Sequence, residues 1–144
     1  MRSGAWPAFE GVELRGKTLG IVGTGAVGAH LCRIAAGFEM NRIAWNRSGV
    51  ASSLPYKEVP LKQVFHDADA VSLHNAFSDT TNKMIVAPFL QSMKPGANLV
   101  NTARGSVVDD VALVEALKTG PLGHAALDVY TVEPLESGSP LRSM

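Results

Sequence analysis

Apolar and polar positions along the 144 residues follow two alternating periods. Short runs of Val, Ile and Leu read as strands buried on both faces, and between them apolar residues recur three or four positions apart, as on one face of a helix. Leu19-Gly20-Ile21-Val22 is the first run. Val27, Leu31, Ile34 and Ala35 then recur at helical spacing until Gly37, which is placed to cap the turn. Arg42 to Trp45 reads as a second strand, and Pro60, Leu61, Val64 and Phe65 as a small helix with proline in its first turn. Ala70 to Leu73 is a third strand, followed by the polar loop Ser78-Asp79-Thr80-Thr81-Asn82 and a helix through Leu90 and Met93 that stops at Lys94-Pro95-Gly96. Asn98 to Asn101 is a fourth strand. Asp109 can cap a helix carrying Leu113, Ala116 and Leu117, and Ala125 to Val129 is a fifth strand. This alternation predicts an α/β fold, a doubly wound parallel sheet covered by helices on both faces. Such a sheet usually carries six strands, so with five the last one is expected to be missing and the sequence reads as a piece of something larger.

Composition narrows the classes. Hydrophobic residues make up 46% of the chain, enough for a core and too many for intrinsic disorder. Charged residues are 18%, below the roughly 25% usual for soluble chains, which leaves surface for a partner. Thirteen basic and thirteen acidic residues cancel, so no overall field would hold a polyanion, and no nucleic-acid partner is expected. A single cysteine, Cys32, excludes an internal disulfide and a cysteine-based zinc site and fits a reducing compartment; no metal site is expected. Met1 to Pro7 lacks the apolar run and cleavage site of a signal peptide. The most membrane-like stretch, Leu19 to Gly37, is broken by Gly23, Gly25, Gly28, His30 and Arg33. The expectation is a soluble, cytoplasmic protein without a membrane partner.

The candidate chemistry begins at Gly23-Thr24-Gly25-Ala26-Val27-Gly28, a G-x-G-x-x-G run after a strand and opening a helix. The first glycine allows the tight turn, the second lets a pyrophosphate approach the backbone, and the third lets helix and strand pack closely. Free N–H groups and the positive end of the helix dipole then favour phosphates. A carboxylate that reads the ribose belongs about 20 residues on, at the end of the second strand. That strand ends Ala44-Trp45-Asn46-Arg47-Ser48, with none. Asn46 removes the repulsion of a 2′-phosphate, and Arg47 and Ser48 supply donors for it, so NADP(H) is favoured. NAD(H) stays possible, with Asn46 bonding a plain hydroxyl and Arg47 only covering the adenine. Further along, Asn101-Thr102-Ala103-Arg104-Gly105 and Leu127-Asp128-Val129-Tyr130-Thr131-Val132-Glu133-Pro134 follow the fourth and fifth strands, where the sheet presents its carboxyl ends to a ligand. An arginine there has a planar fork that can hold a carboxylate in two bonds.

These blocks, with Gly16 to Val22, Val71-Ser72-Leu73-His74 and Met93-Lys94-Pro95-Gly96-Ala97, resemble the D-isomer-specific 2-hydroxyacid dehydrogenases from about Trp6 to Leu141. The Asn46-Arg47-Ser48 run is similar to the glyoxylate/hydroxypyruvate reductases among them. The resemblance implies a Rossmann NAD(P)-binding domain over residues 17–135, a connecting arm over 1–16 and a polar tail over 136–144 where the chain is cut short, without the family's separate substrate domain. It implies that Arg104 binds the carboxylate and carbonyl oxygen of a small 2-oxo acid, and that Glu133 hydrogen-bonds a catalytic histidine. Asp128 would bond the nicotinamide carboxamide, Thr102 and Ala103 would lie against the nicotinamide half, and His74 and Thr81 would sit near the cofactor. A homodimer through this domain is implied too, and Trp6 and Pro7 would suit such a contact.

Two departures stand out. Ala76 replaces the proline of a His-x-Pro turn, so the backbone beside the cofactor is less constrained. The family's catalytic histidine belongs to a later Pro-His-x-Gly run that these 144 residues do not contain. His30, His66 and His124 read as surface or packing residues, and His74 as structural or near the cofactor. Ser72, Ser78 and Thr81 have no base at motif spacing. The expected function is the nucleotide-binding part of an oxidoreductase acting on glyoxylate or hydroxypyruvate, inactive by itself. The rival is a dinucleotide sensor acting through a protein partner; a methyltransferase loop leaves Arg104 and Glu133 unexplained.

Overall fold

The computed structural model describes residues 11–49 and 55–144, and Trp6 and Pro7 lie outside them. The chain forms β1 (Thr18–Val22), α1 (Ala26–Gly37), β2 (Asn41–Trp45), β3 (Lys57–Glu58), α2 (Leu61–Asp67), β4 (Ala70–Leu73), α3 (Ala87–Gln91), β5 (Ala97–Asn101), α4 (Asp110–Lys118) and β6 (Leu122–Leu127). Short 3₁₀ turns lie between β5 and α4 at Gly105–Val107 and after β6 at Pro140–Arg142. Among the described residues no helix is long and apolar enough to cross a membrane.

All pairings are parallel and the strand order is β3-β2-β1-β4-β5-β6. The chain runs outward from β1 to β3, crosses back through α2, and continues outward from β4. The order reverses between β1 and β4, where open α/β sheets bind ligands at their carboxyl edge. Side chains alternate across β1. Leu19 and Ile21 meet Cys32, Ala35, Met40 and Ala44 beneath α1. Val22 joins Val64, Phe65, Leu73, Leu99 and Leu113 in the larger core under α2, α3 and α4. At Gly20 an added Cβ would lie 2.7 Å from Val64 Cγ1, so α2 seats directly on the strand.

Helices cover both faces of a doubly wound parallel sheet, as the alternation predicts, but the strand count is six rather than five. The extra strand is not at the end of the chain. It is β3, two residues pairing Lys57 with Ile43 and Glu58 with Ala44, too short and polar to leave a hydrophobic signature. β6 also starts and ends earlier than the expected Ala125 to Val129, because its register is set by β5, with Leu99 opposite Ala125 and Asn101 opposite Leu127. Gly37 is the last residue of α1 and not its left-handed cap. That role falls to Glu39 (φ 56°), whose N–H donates to Ala36 while Met40 donates to Ala35. Residues 136–144 fold back, with Leu141 packed on the larger core.

Candidate functional site

The glycine run after β1, the loops after β2 and β4 and the two blocks after β5 and β6 all lie at the carboxyl edge of the sheet, whereas the Lys94-Pro95-Gly96 turn leads into β5 at the amino edge. Gly23 leaves β1 at φ +93°, and a Cβ there would lie 2.6 Å from the Asn75 amide nitrogen, so only glycine lets the loop after β4 cross so close. A Cβ on Gly28 would overlap the Gly23 carbonyl oxygen, which is why α1 can start directly on β1. Gly25 is the opposite case. Nothing lies within 4 Å of its absent side chain. It caps α1 without any side-chain acceptor, and the first turn holds no acid, with Ala26 and Val27 exposed beside it. In α4, by contrast, Asp109 accepts from the Ala112 N–H at 3.0 Å. The N–H groups at the start of α1 are thus left to an outside partner, at the helix end that favours an anion.

A cleft of about 540 Å³ opens between Val27, residues 74–77 after β4 and Thr102 to Arg104 after β5. His74 is half-buried; its Nε2 lies 2.8 Å from Ser72 Oγ, and burial holds its pKa below the usual value, so the ring is neutral at pH 7. Beside it, Oδ1 and Nδ2 of Asn75 are both buried and have no hydrogen-bond partner among the described residues. Such an atom costs about 1–3 kcal/mol until something pairs with it. The bare first turn of α1, the open space over Gly25 and the unpartnered Asn75 amide fit a ligand with a diphosphate bridge and further hydrogen-bonding groups beyond it.

Across the cleft the buried Asn101 shapes its loop. Its Oδ1 accepts from Ala103 N–H and its Nδ2 donates to the Arg104 carbonyl, both at 3.0 Å. The Arg104 side chain is exposed and donates from Nη1 to the Ala103 carbonyl at 2.7 Å. Gly105 then brings the last loop in: a Cβ there would overlap the Tyr130–Thr131 peptide. This juxtaposes Arg104 with the segment carrying Glu133. Glu133 is exposed, its Oε1 accepting from Tyr130 N–H at 2.9 Å, and Asp128 is exposed with its N–H donating to Asn101 at 3.1 Å. Among the described residues Arg104 and Glu133 form no ion pair with each other.

The loop after β2 differs from a simple donor set. Asn46 Nδ2 donates to the Gly49 carbonyl at 2.8 Å, closing its own turn. Arg47 Nη1 reaches Thr80 Oγ1 at 2.7 Å, with Ser78 Oγ at 3.5 Å, and so bridges the loops after β2 and β4; Ser48 is exposed. Thr81 is buried, its hydroxyl accepting from Ser78 N–H and facing the Ala76 carbonyl, so it holds the loop together from inside. His30 and His124 are exposed elsewhere, and His66 pairs with Asp67 at 2.7 Å near the amino edge of β4. Sequence reasoning missed Asn75, and it named Asn101, Gly105, Ser78 and Thr80 only as members of their runs, without a role. Only Asn101 carried a signal, an amide at the end of an apolar strand.

The family described as "D-isomer specific 2-hydroxyacid dehydrogenase, NAD binding domain" matches residues 1–144. The glyoxylate reductase of Aeropyrum pernix is 41% identical over 145 residues, 98% of this chain and 43% of that protein. The hydroxypyruvate reductase of Thermotoga maritima is 38% identical over 136 residues, 93% of this chain and 44% of the other. The crystal structure of a glyoxylate reductase from Paecilomyes thermophila superposes with a TM-score of 0.87 at 38% identity, covering 97% of this chain and 44% of that one. The chain spans under half the length of these relatives.

Proposed function

The chain belongs to the D-isomer specific 2-hydroxyacid dehydrogenases, as their NAD-binding domain, and from that we propose that it binds a nicotinamide dinucleotide for reduction of a small 2-oxo acid such as glyoxylate or hydroxypyruvate. One observation carries the proposal: the bare first turn of α1 faces the same cleft as Arg104. The diphosphate lies over Gly25, Ala26 and Val27, where N–H groups at the head of a 12-residue helix hold it. Thr102 and Ala103 flank the ring, and Asp128 accepts from its carboxamide. The bound cofactor supplies the hydride. Arg104 turns from the Ala103 carbonyl to the substrate carboxylate and stabilises charge growing on the carbonyl oxygen. Glu133 orients the histidine that donates the proton. His74, neutral and bonded to Ser72, is not placed for that task, so the 144 residues alone bind cofactor with negligible turnover; a missing general acid costs 10²- to 10⁴-fold.

NADPH is favoured over NADH, supported by the absence of a carboxylate after β2 and by the exposed Arg47 and Ser48. A 2′-phosphate would draw Arg47 from Thr80. We place the protein in the cytoplasm as a homodimer, with the low charge fraction and the exposed Ile34 and Phe38 of the α1 region suiting an interface; sedimentation at a single 15.2 kDa mass would refute the dimer.

Calorimetric titration with NADPH and NADH tests the proposal. Tighter NADPH supports it, tighter NADH overturns the preference, and no heat with either removes the dinucleotide reading. Measurable hydroxypyruvate reduction by the pure chain would show that the proton donor has been misplaced. A sensor acting through a protein partner would bind equally well after Arg104→Met, whereas a full-length reductase would lose substrate affinity.

A further inference from the structure

We propose that the outer edge of β6 is a self-association surface, where a second copy of this chain adds its own β6 antiparallel and carries one sheet across both copies. The two edges of the sheet differ. β3 is guarded: it is two residues long, and both, Lys57 and Glu58, are exposed and charged. β6 pairs only with β5 and has none of these devices. Its six residues, Leu122-Gly123-His124-Ala125-Ala126-Leu127, hold no lysine, no acid and no proline. Asp128 N–H donates inward to the Asn101 carbonyl at 3.1 Å. Backbone groups alternate in direction along a strand, so His124 and Ala126 also face β5, while Ala125 and Leu127 turn both N–H and C=O to the open side. Neither has a backbone partner there among the described residues.

The sequence of this edge selects a second copy as its partner. About an axis at Ala126 the strand is complementary to itself. An antiparallel copy sets Ala125 against the partner's Leu127, and Leu127 against the partner's Ala125, so the outward groups exchange hydrogen bonds in pairs. The same register sets His124 against the partner's Asp128, at the pairs where side chains stand closest. His124, Ala126 and Asp128 are all exposed, so an imidazole N–H meets a carboxylate there, and the small Ala126 leaves the axis clear. A carboxylate has two oxygens, so Asp128 keeps one for the cofactor. On the opposite face Ala125 and Leu127 pack against the larger core, beside a groove of about 350 Å³ that Leu117, Leu141 and Met144 also line. Met144 is half exposed, and an added strand would shield this apolar groove. A parallel copy, or a strand of unrelated sequence, offers no such match. The surface lies at the far end of the sheet from β2 and the cluster beneath α1, so it is separate from the interface that Ile34 and Phe38 would form and does not depend on the dinucleotide reading.

The experiment follows amide hydrogen exchange of the 144-residue chain by NMR across a concentration series, alongside sedimentation equilibrium. Where roughly nine-tenths of the chain is associated, exchange at Ala125 and Leu127 should slow about tenfold against the dilute limit, because only the free tenth exchanges. Association without this slowing overturns the proposal, since another face would be responsible. A chain that stays monomeric overturns it too, and leaves the edge to a different strand. Ala125→Pro removes one outward N–H without breaking a bond to β5, and should abolish the slowing at Leu127; slowing that persists refutes the pairing. If that variant does not fold, charge reversal decides. His124→Asp sets carboxylates against each other at both pairs and should weaken the association, read from the concentration dependence of Leu127 exchange, by about tenfold. Adding Asp128→His should restore it. Association indifferent to His124→Asp, or weakened without rescue by the second change, refutes the register and the proposal with it.

Discussion

At the scale of single residues, two buried amides do opposite things. Asn101 fits a structural role: both of its polar atoms are bonded, and they fold Thr102 to Arg104 so that the arginine stands at the sheet edge. Asn101→Ala leaves the buried Ala103 N–H unmatched, while the Arg104 carbonyl keeps the Val107 N–H at 3.2 Å. It should lower the free energy of unfolding in urea by about 1–3 kcal/mol, the cost of orphaning one buried group. His74 makes a separate prediction. Burial holds its pKa below the ordinary 6.5, so the unfolded chain takes up a proton that the folded chain resists. Stability is therefore highest above about pH 6.5 and falls as the pH drops below it, by at most about 1.4 kcal/mol per unit for this one group. Asp69 and Asp109 are held below the usual carboxylate value, and their contributions are lost only as the pH falls below about 4. Thermal midpoints between pH 7.5 and 5 should decline in the wild type and flatten in His74→Gln.

Among elements, α1 sets a stability preference against binding. Its start is open, with a glycine where a capping residue would serve the helix better. Gly25→Asp would cap the first turn and place a negative charge at the positive helix end, raising stability by about 0.5–1 kcal/mol. The same carboxylate would repel a diphosphate. Chemical unfolding and cofactor titration should thus move in opposite directions, and a variant that binds as well as the wild type would contradict the anion site. The loops behave as coupled pairs: Arg47 ties the end of β2 to the loop after β4, and Gly105 seats the Tyr130–Glu133 turn on the loop after β5. The glycine run and the two later blocks were legible because their spacing from strand ends is a local property. These cross-loop contacts were not, because their partners are some 25 to 33 residues apart and nothing in either segment names the other.

For the whole molecule, the strand order puts the ends of β1, β4 and β5 side by side, so three loops distant in sequence line one cleft. Ligand held across them ties both halves of the sheet together. At a cofactor concentration of 100 times Kd, binding should stabilise the chain by about 2.7 kcal/mol. That corresponds to a rise in thermal midpoint of roughly 5–10 °C for a domain of this size. The absence of any shift at saturating NADPH and NADH would count against a preformed site.

The sequence by itself determined the class of fold and the glycine turn, because strand and helix periods and the needs of a diphosphate are written in consecutive residues. It also placed Arg104 and Glu133 after strands, on one edge. Only the tertiary structure decided that β3 exists, since two polar residues become a strand solely by pairing with β2. It likewise decided that Thr81 is turned inward and that the amide atoms of Asn75 are buried without a partner among the described residues. Burial and hydrogen-bond satisfaction depend on what the rest of the chain brings near a side chain, and no local pattern of residues records that.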